Sequence, residues 1–171
     1  MYNRKATKRK CLSILTICTL IVRNNNGLVI TKMTKINDVR RIDLPKFLDA
    51  RGNLSFAEQN NQIPFEIKRT YWIYDVPGGE DRGGHAFREN QEVIIALSGA
   101  FDVVVDDGEE KRTFRLDRSY YGLYIPKGLW RTIENFSTNA FALEFGSVTY
   151  SKEDYIREYD DFLKLKQNGK I

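Results

Sequence analysis

The chain has 171 residues, 42% hydrophobic and 29% charged, which fits one ordinary globular domain and excludes a disordered or fibrous chain. Its formal net charge of +4 is an N-terminal property: residues 1–32 carry seven of the 27 basic side chains and none of the 23 acidic ones, leaving a mildly acidic remainder. That distribution excludes nucleic acid as a leading partner. Both cysteines, Cys11 and Cys18, lie in the same basic segment, so the remainder has no thiol chemistry or disulfide framework and a cytoplasmic compartment is expected.

Residues 1–32 read as a leader outside the fold. A basic cluster ends at Lys10, and Cys11 to Val22 is a mostly apolar run of twelve residues. The run resembles a signal peptide and is too short for a comfortable membrane span. No small-residue cleavage site follows, only Arg23-Asn24-Asn25-Asn26. The preferred expectation is translated upstream sequence ahead of a start at Met33, with a single domain over 33–171 and no membrane contact.

From Ile36 onward, short β-rich runs alternate with turn signals. Leu54 to Glu58 follows Arg51-Gly52-Asn53. Ile67 to Val76 is rich in aromatic and β-branched residues and stops at Pro77-Gly78-Gly79. Gln91 to Leu97 ends at Ser98-Gly99. Ala100 to Val105 turns at Asp106-Asp107-Gly108, where Asp-Gly tolerates positive φ, and Lys111 to Leu116 returns. Tyr120 to Ile125, Trp130 to Asn135 and Ala140 to Ser147 complete an all-β set that closes into a barrel or jelly roll to remove exposed edges. Ser151-Lys152-Glu153-Asp154 reads as an N-cap with an acidic first turn, predicting one amphipathic C-terminal helix over about 152–166.

The densest cluster of unusual residues is Arg82-Gly83-Gly84-His85-Ala86-Phe87, followed by Glu92 and Gly99. His85 is the one histidine of the chain, and imidazole is the side chain best suited to proton transfer near neutral pH. A lone histidine is more often structural, but this one follows a glycine-rich turn and opens a strand. Strand alternation puts His85 and Phe87 on one face.

This spacing resembles the cupin family. Its first motif runs His-x-His, four residues, glutamate, six residues, glycine; His85, Phe87, Glu92 and Gly99 fall on those marks. Its second motif runs Pro-x-Gly-x-x-His-x-x-x-Asn; Pro126, Gly128, Arg131 and Asn135 match in spacing, with arginine in place of histidine. The resemblance implies an all-β double-stranded β-helix, a jelly-roll barrel, with one C-terminal α-helix. Many cupins hold a divalent metal on three histidines and a glutamate. Phe87 and Arg131 occupy two of those positions and His85 and Glu92 alone remain, so no metal and no cofactor are expected.

A closer resemblance is to the WxcM-like sugar-nucleotide 3,4-ketoisomerases, of FdtA and QdtA type, within the RmlC-like cupin superfamily. It is carried by Asp49-Ala50-Arg51-Gly52-Asn53-Leu54, by Ile63-Pro64-Phe65-Glu66-Ile67-Lys68-Arg69-Thr70-Tyr71-Trp72-Ile73, and by Arg82-Gly83-Gly84-His85. Gly122-Leu123-Tyr124-Ile125, Leu129-Trp130-Arg131 and Asp154-Tyr155-Ile156-Arg157-Glu158-Tyr159-Asp160 follow in order. The resemblance implies a metal-free homodimer with N-terminal strand exchange, acting on a dTDP-linked 4-keto-6-deoxy sugar in deoxysugar and surface-glycan biosynthesis. It also implies proton removal from C3, an enediol intermediate and protonation at C4.

His85 is the expected base, with Arg82, Tyr71 or Glu92 as further catalytic groups and Arg69, Phe87, Tyr124, Trp130 and Arg131 lining the substrate. Phe87 stands where the family has its second histidine, which leaves three outcomes. His85 serves both carbons, Glu92 supplies the second acid or base through a pKa raised by burial, or the chain is a non-catalytic sugar-nucleotide-binding cupin or performs a related reaction.

Overall fold

The computed structural model describes the backbone of residues 19–24 and 27–171, and side chains from Met33 onward. The expectation for the leader lies largely outside the described residues. Two strands of it, β1 (Thr19–Asn24) and β2 (Gly27–Lys32), pair as an antiparallel hairpin. Residues 33–171 form a separate unit.

That unit contains β3 (Arg40–Asp43), β4 (Lys46–Phe47), β5 (Leu54–Ser55), β6 (Arg69–Ile73), β7 (Arg82–Phe87), β8 (Glu92–Ser98) and β9 (Phe101–Asp106). It continues with β10 (Lys111–Leu116), β11 (Tyr121–Ile125), β12 (Trp130–Glu134), β13 (Phe141–Gly146), β14 (Tyr155–Ile156) and α1 (Tyr159–Gln167). Each run read as β in the sequence overlaps one of these strands, β8 and β9 each extending one residue past the expected end, and Asp106-Asp107-Gly108 makes the expected β9–β10 turn, with Gly108 at φ +91°. Two antiparallel five-stranded sheets result, ordered β10-β9-β12-β7-β14 and β3-β11-β8-β13-β6.

Period-two alternation sorts the side chains. Val103, Val105 and Ile133 of the first sheet meet Ile94, Ala96, Leu123, Ile125 and Ala142 of the second in one buried core. The opposite face of the second sheet presents Val93, Ile95 and Tyr124, which Ile63 and Phe65 cover. The opposite face of the first sheet presents Ala86, Trp130 and Ile156, which Phe162 of α1 covers. Among the described residues, no helix is long and apolar enough to cross a membrane.

The expected helix over 152–166 needs correction. Lys152–Asp154 is a single 3-10 turn capped by Ser151, Tyr155–Ile156 is an edge strand, and the α-helix begins only at Tyr159. Asp154 explains the change. Its carboxylate accepts from the backbone N–H of Glu89 (2.7 Å) and Asn90 (3.3 Å), and its carbonyl accepts from Arg88 N–H (2.9 Å). These bonds fasten the segment to the end of β7, and Tyr155 pairs opposite Phe87. A helix through Asp154 would strip these donors, the buried Asn90 N–H among them, of their partner, which outweighs the helical spacing of the apolar residues.

Candidate active site

Five strands aim polar side chains at the inter-sheet face at one end of the apolar core. Residues directly opposite in an antiparallel pair share a face, so Arg131 of β12 lies beside His85 of β7, and Glu144 of β13 beside Tyr71 of β6. Gly146 lies between Arg69 and Glu92 on the flanking strands. A Cβ at Gly146 would stand 2.9 Å from Asn90 Oδ1 and 3.4 Å from Arg69 Nε, so the glycine makes room chiefly for the Asn90 amide, with the guanidinium packed alongside.

Arg131 organises the deeper half. Its Nε donates to Glu92 Oε1 (2.7 Å), and Nη2 donates to Glu92 Oε2 (3.1 Å) and to Glu144 Oε2 (2.8 Å). Tyr71 O–H donates to Glu92 Oε2 (3.1 Å) and accepts from Arg131 Nη2 (3.4 Å). Arg131, Glu92 and Glu144 are almost wholly buried, at 2%, 1% and 0% exposure. One guanidinium therefore faces two carboxyl groups. Burial pushes both carboxyls toward the neutral form, but the charge and forked hydrogen bonds of Arg131 outweigh burial at Glu92 and hold it below the usual range. At Glu144 burial prevails over the pull of Arg131, with repulsion from Glu92 adding to it, and its pKa is pushed up to about 7. Glu92 is thus the more acidic member of the pair, and Glu144 the one that takes up a proton first as pH falls.

The lowered pKa runs against the expected rise that would have made Glu92 the second acid or base. Its charge is committed to Arg131 and Tyr71. Tyr71 is likewise committed; burial, with Glu92 and Glu144 beside it, raises its ionisation far above the usual phenol range.

His85 lies at the shallower side, 7% exposed. Its Nδ1 is 3.2 Å from the carbonyl oxygen of Gly83. A carbonyl only accepts, so Nδ1 carries the proton and Nε2 keeps a free lone pair. Nε2 is buried and has no partner among the described residues. Burial first, then the charge of Arg131, pushes the imidazole pKa down to about 4. Gly83 (φ +91°) makes room for the neighbouring guanidinium: a Cβ there would meet Arg131 Nη1 at 2.4 Å.

The pH dependence follows in sign. A depressed histidine is neutral above its folded pKa, and it favours the unfolded state progressively as pH falls from about 6.5 toward about 4. The expected kcat/KM profile therefore has its acid limb near pH 4 and no inflection near 6.5. Steady-state rates at pH 4–8, each checked for folded protein by circular dichroism, measure this. An acid limb at 6.5 or above contradicts the assignment of His85.

Around His85 stands an aromatic cluster. Phe87 is 4.7 Å and Tyr155 4.9 Å from its ring centroid, and the Phe87 and Tyr155 rings are 4.7 Å apart. Arg69 lies over the rings of Tyr71, Phe87, Tyr150 and Tyr155 at 4.9–6.0 Å. Its Nη1 donates to Tyr155 Oη (3.4 Å), while Nε and Nη2 are buried without partners among the described residues. It has no carboxylate partner there either, so among the described residues Arg69 is a cation without a counter-charge, set over the Phe87 and Tyr155 rings that pack on His85.

The structure thus brings together His85, Phe87, Arg69, Tyr71, Glu92 and Arg131 from the expected set. Three others lie elsewhere. Arg82 is exposed and reaches none of the cluster, because glycines 83 and 84 and the bulge between Arg131 and Thr132 separate it from the inward register. Tyr124 is on the opposite face of its sheet, donating to Gln91 Oε1 (2.5 Å) and packing near Phe65. Trp130 packs against Tyr159 and Phe162 of α1. Sequence reasoning missed Glu144 and Tyr155. An acidic residue between apolar Leu143 and Phe145 was a signal for the first; the false helix hid the second.

For a metal, the donor set does not fit. Glu92 is consumed by Arg131, positions 87 and 131 offer no ligand, and the described residues contain no group of three or more His, Cys, Asp or Glu arranged for one.

The sequence model of the family described as "FdtA: WxcM-like, C-terminal" matches residues 37–167. The chain belongs to this WxcM-like family. A curated relative, the TDP-4-oxo-6-deoxy-alpha-D-glucose-3,4-oxoisomerase of Aneurinibacillus thermoaerophilus, is 39% identical over 123 residues, covering 72% of this chain and 88% of the relative. Among solved structures, a 3,4-ketoisomerase from Helicobacter canadensis is 38% identical with a TM-score of 0.74, covering 76% of this chain and 98% of its own. The sugar 3,4-ketoisomerase QdtA of Thermoanaerobacterium thermosaccharolyticum, solved in complex with TDP, is 30% identical with a TM-score of 0.76, covering 78% and 98%. The jelly roll described above is the fold of these WxcM-like relatives.

Proposed function

We propose that this chain is a metal-independent 3,4-ketoisomerase of a TDP-linked 4-keto-6-deoxyhexose. The observation that carries it is the imidazole of His85, locked as its Nδ1–H tautomer by Gly83 with Nε2 bare and kept neutral by burial. A neutral, oriented base is what removal of the C3 proton requires, that proton being acidified by the neighbouring C4 carbonyl. Loss of the proton puts negative charge on the enediolate oxygens, and Arg69, with no carboxylate partner among the described residues and lying over the Phe87 ring that packs on His85, is a cation able to offset it. The names of the WxcM-like relatives supply the sugar and nucleotide. The non-catalytic alternative has no feature in its favour, since a pure binding site has no need of a histidine held neutral at a bare nitrogen.

Purified protein incubated with TDP-4-keto-6-deoxyglucose in deuterated water should convert it to the 3-keto isomer, with deuterium entering at C3 or C4 by NMR. Folded protein that binds TDP and leaves the sugar unlabelled and unconverted would sink the proposal.

A further inference from the structure

Phe87 removes one acid–base group, so the proton returned to C4 needs a source. His85 and Phe87 share their face with one further titratable group in ring contact, Tyr155. Tyr71 and Glu92 are bound to each other and to Arg131, and Glu144 is wholly buried. Tyr155 is only half-buried, and its hydroxyl proton is not donated to any described residue. Arg69 donates to its oxygen, and Arg157 lies 4.5 Å from its ring centroid. One cation thus touches the oxygen that would hold negative charge after giving up a proton, and a second lies over the ring that carries it.

We infer that Tyr155 is a second catalytic residue, the acid that protonates C4, placed beside His85 by the edge strand β14. This rests on the isomerase assignment above. The steps balance as follows. The C3–H bond breaks, its proton goes to His85 Nε2, and its electron pair forms the C3=C4 bond as the C4 carbonyl becomes an enolate oxygen. The proton on O3 passes to O4. The enediolate collapses to a C3 carbonyl while C4 takes the Tyr155 hydroxyl proton. The phenolate, held by Arg69, then recovers a proton from the neighbouring imidazolium, and both groups return to their starting states.

Tyr155→Phe keeps the ring packed on His85 and Phe87 and deletes only the hydroxyl, so the two half-reactions separate. In deuterated water, substrate recovered from Y155F should still acquire deuterium at C3, at a rate within about threefold of the native protein. Formation of the 3-keto product should fall roughly 100-fold or more. His85→Asn should lose both. Y155F that forms product within about threefold of the native rate overturns the inference in favour of His85 serving both carbons. Y155F that keeps its melting temperature but loses C3 exchange also overturns it, assigning Tyr155 to positioning His85. Undiminished C3 exchange in H85N overturns the base assignment itself, and with it this inference.

Discussion

His85→Asn lowers kcat for ketone transfer by roughly 10²–10⁴-fold, the usual worth of a positioned general base, while the fold survives. The asparagine amide can still donate to the Gly83 carbonyl, so the turn that positions residue 85 keeps its bond. Nε2 makes no bond with described residues, and its loss leaves no donor or acceptor stranded. The melting temperature should therefore move little, and KM should change less than kcat, because the lost interaction belongs to the transition state. A variant retaining more than about one-tenth of kcat would transfer the base role elsewhere.

Arg131→Met has the larger effect on stability. It leaves Glu92 and Glu144 buried with no cation, and breaking a buried pair from one side costs about 3–5 kcal/mol. For a chain of this size that corresponds to a melting temperature lower by roughly 10–15 °C. The deficit should also depend on pH. Without Arg131 both carboxyl groups have raised pKa values, so the fold gains relative stability as they are protonated, and the gap to the native protein narrows from pH 8 to pH 5. The imidazole of His85 loses the charge that helps to depress it, and any residual activity shows an acid limb displaced toward 6.5. Thermal melts and rate profiles across that range check both. A loss under about 1 kcal/mol would mean that the buried network is not held by Arg131.

The barrel was legible because period-two alternation, Asp-Gly and Pro-x-Gly turns and the motif spacings all pointed to one fold. The site was half legible. His85, Glu92 and Arg131 followed from motif register, but register says nothing of charge balance. Glu144 fixes that balance, and it comes from a strand that the motifs do not mark. Alternation also discriminates more finely than it was asked to. Trp130 is adjacent to Arg131, and Tyr124 is flanked by inward Leu123 and Ile125, so neither could share the site face. Arg82 was misplaced for the opposite reason: two positive-φ glycines and a bulge break the alternation before it reaches that residue. Tyr155 was unreadable locally, because the bonds that turn its segment into a strand come from residues more than sixty positions away.

The brevity of β14 has a consequence for self-association. It adds just two residues to the margin of its sheet, and Lys152, Glu153, Arg157 and Glu158 flank it, all exposed. A row of free N–H and C=O groups that short, bordered by charges of both signs, is a poor template for a strand from another chain. The apolar half of β7 would be a better one, and β14 covers it at Ala86 and Phe87. The segment that delivers a hydroxyl to the reaction thus also leaves that margin of the sheet short and charged, a poor place for another chain to pair.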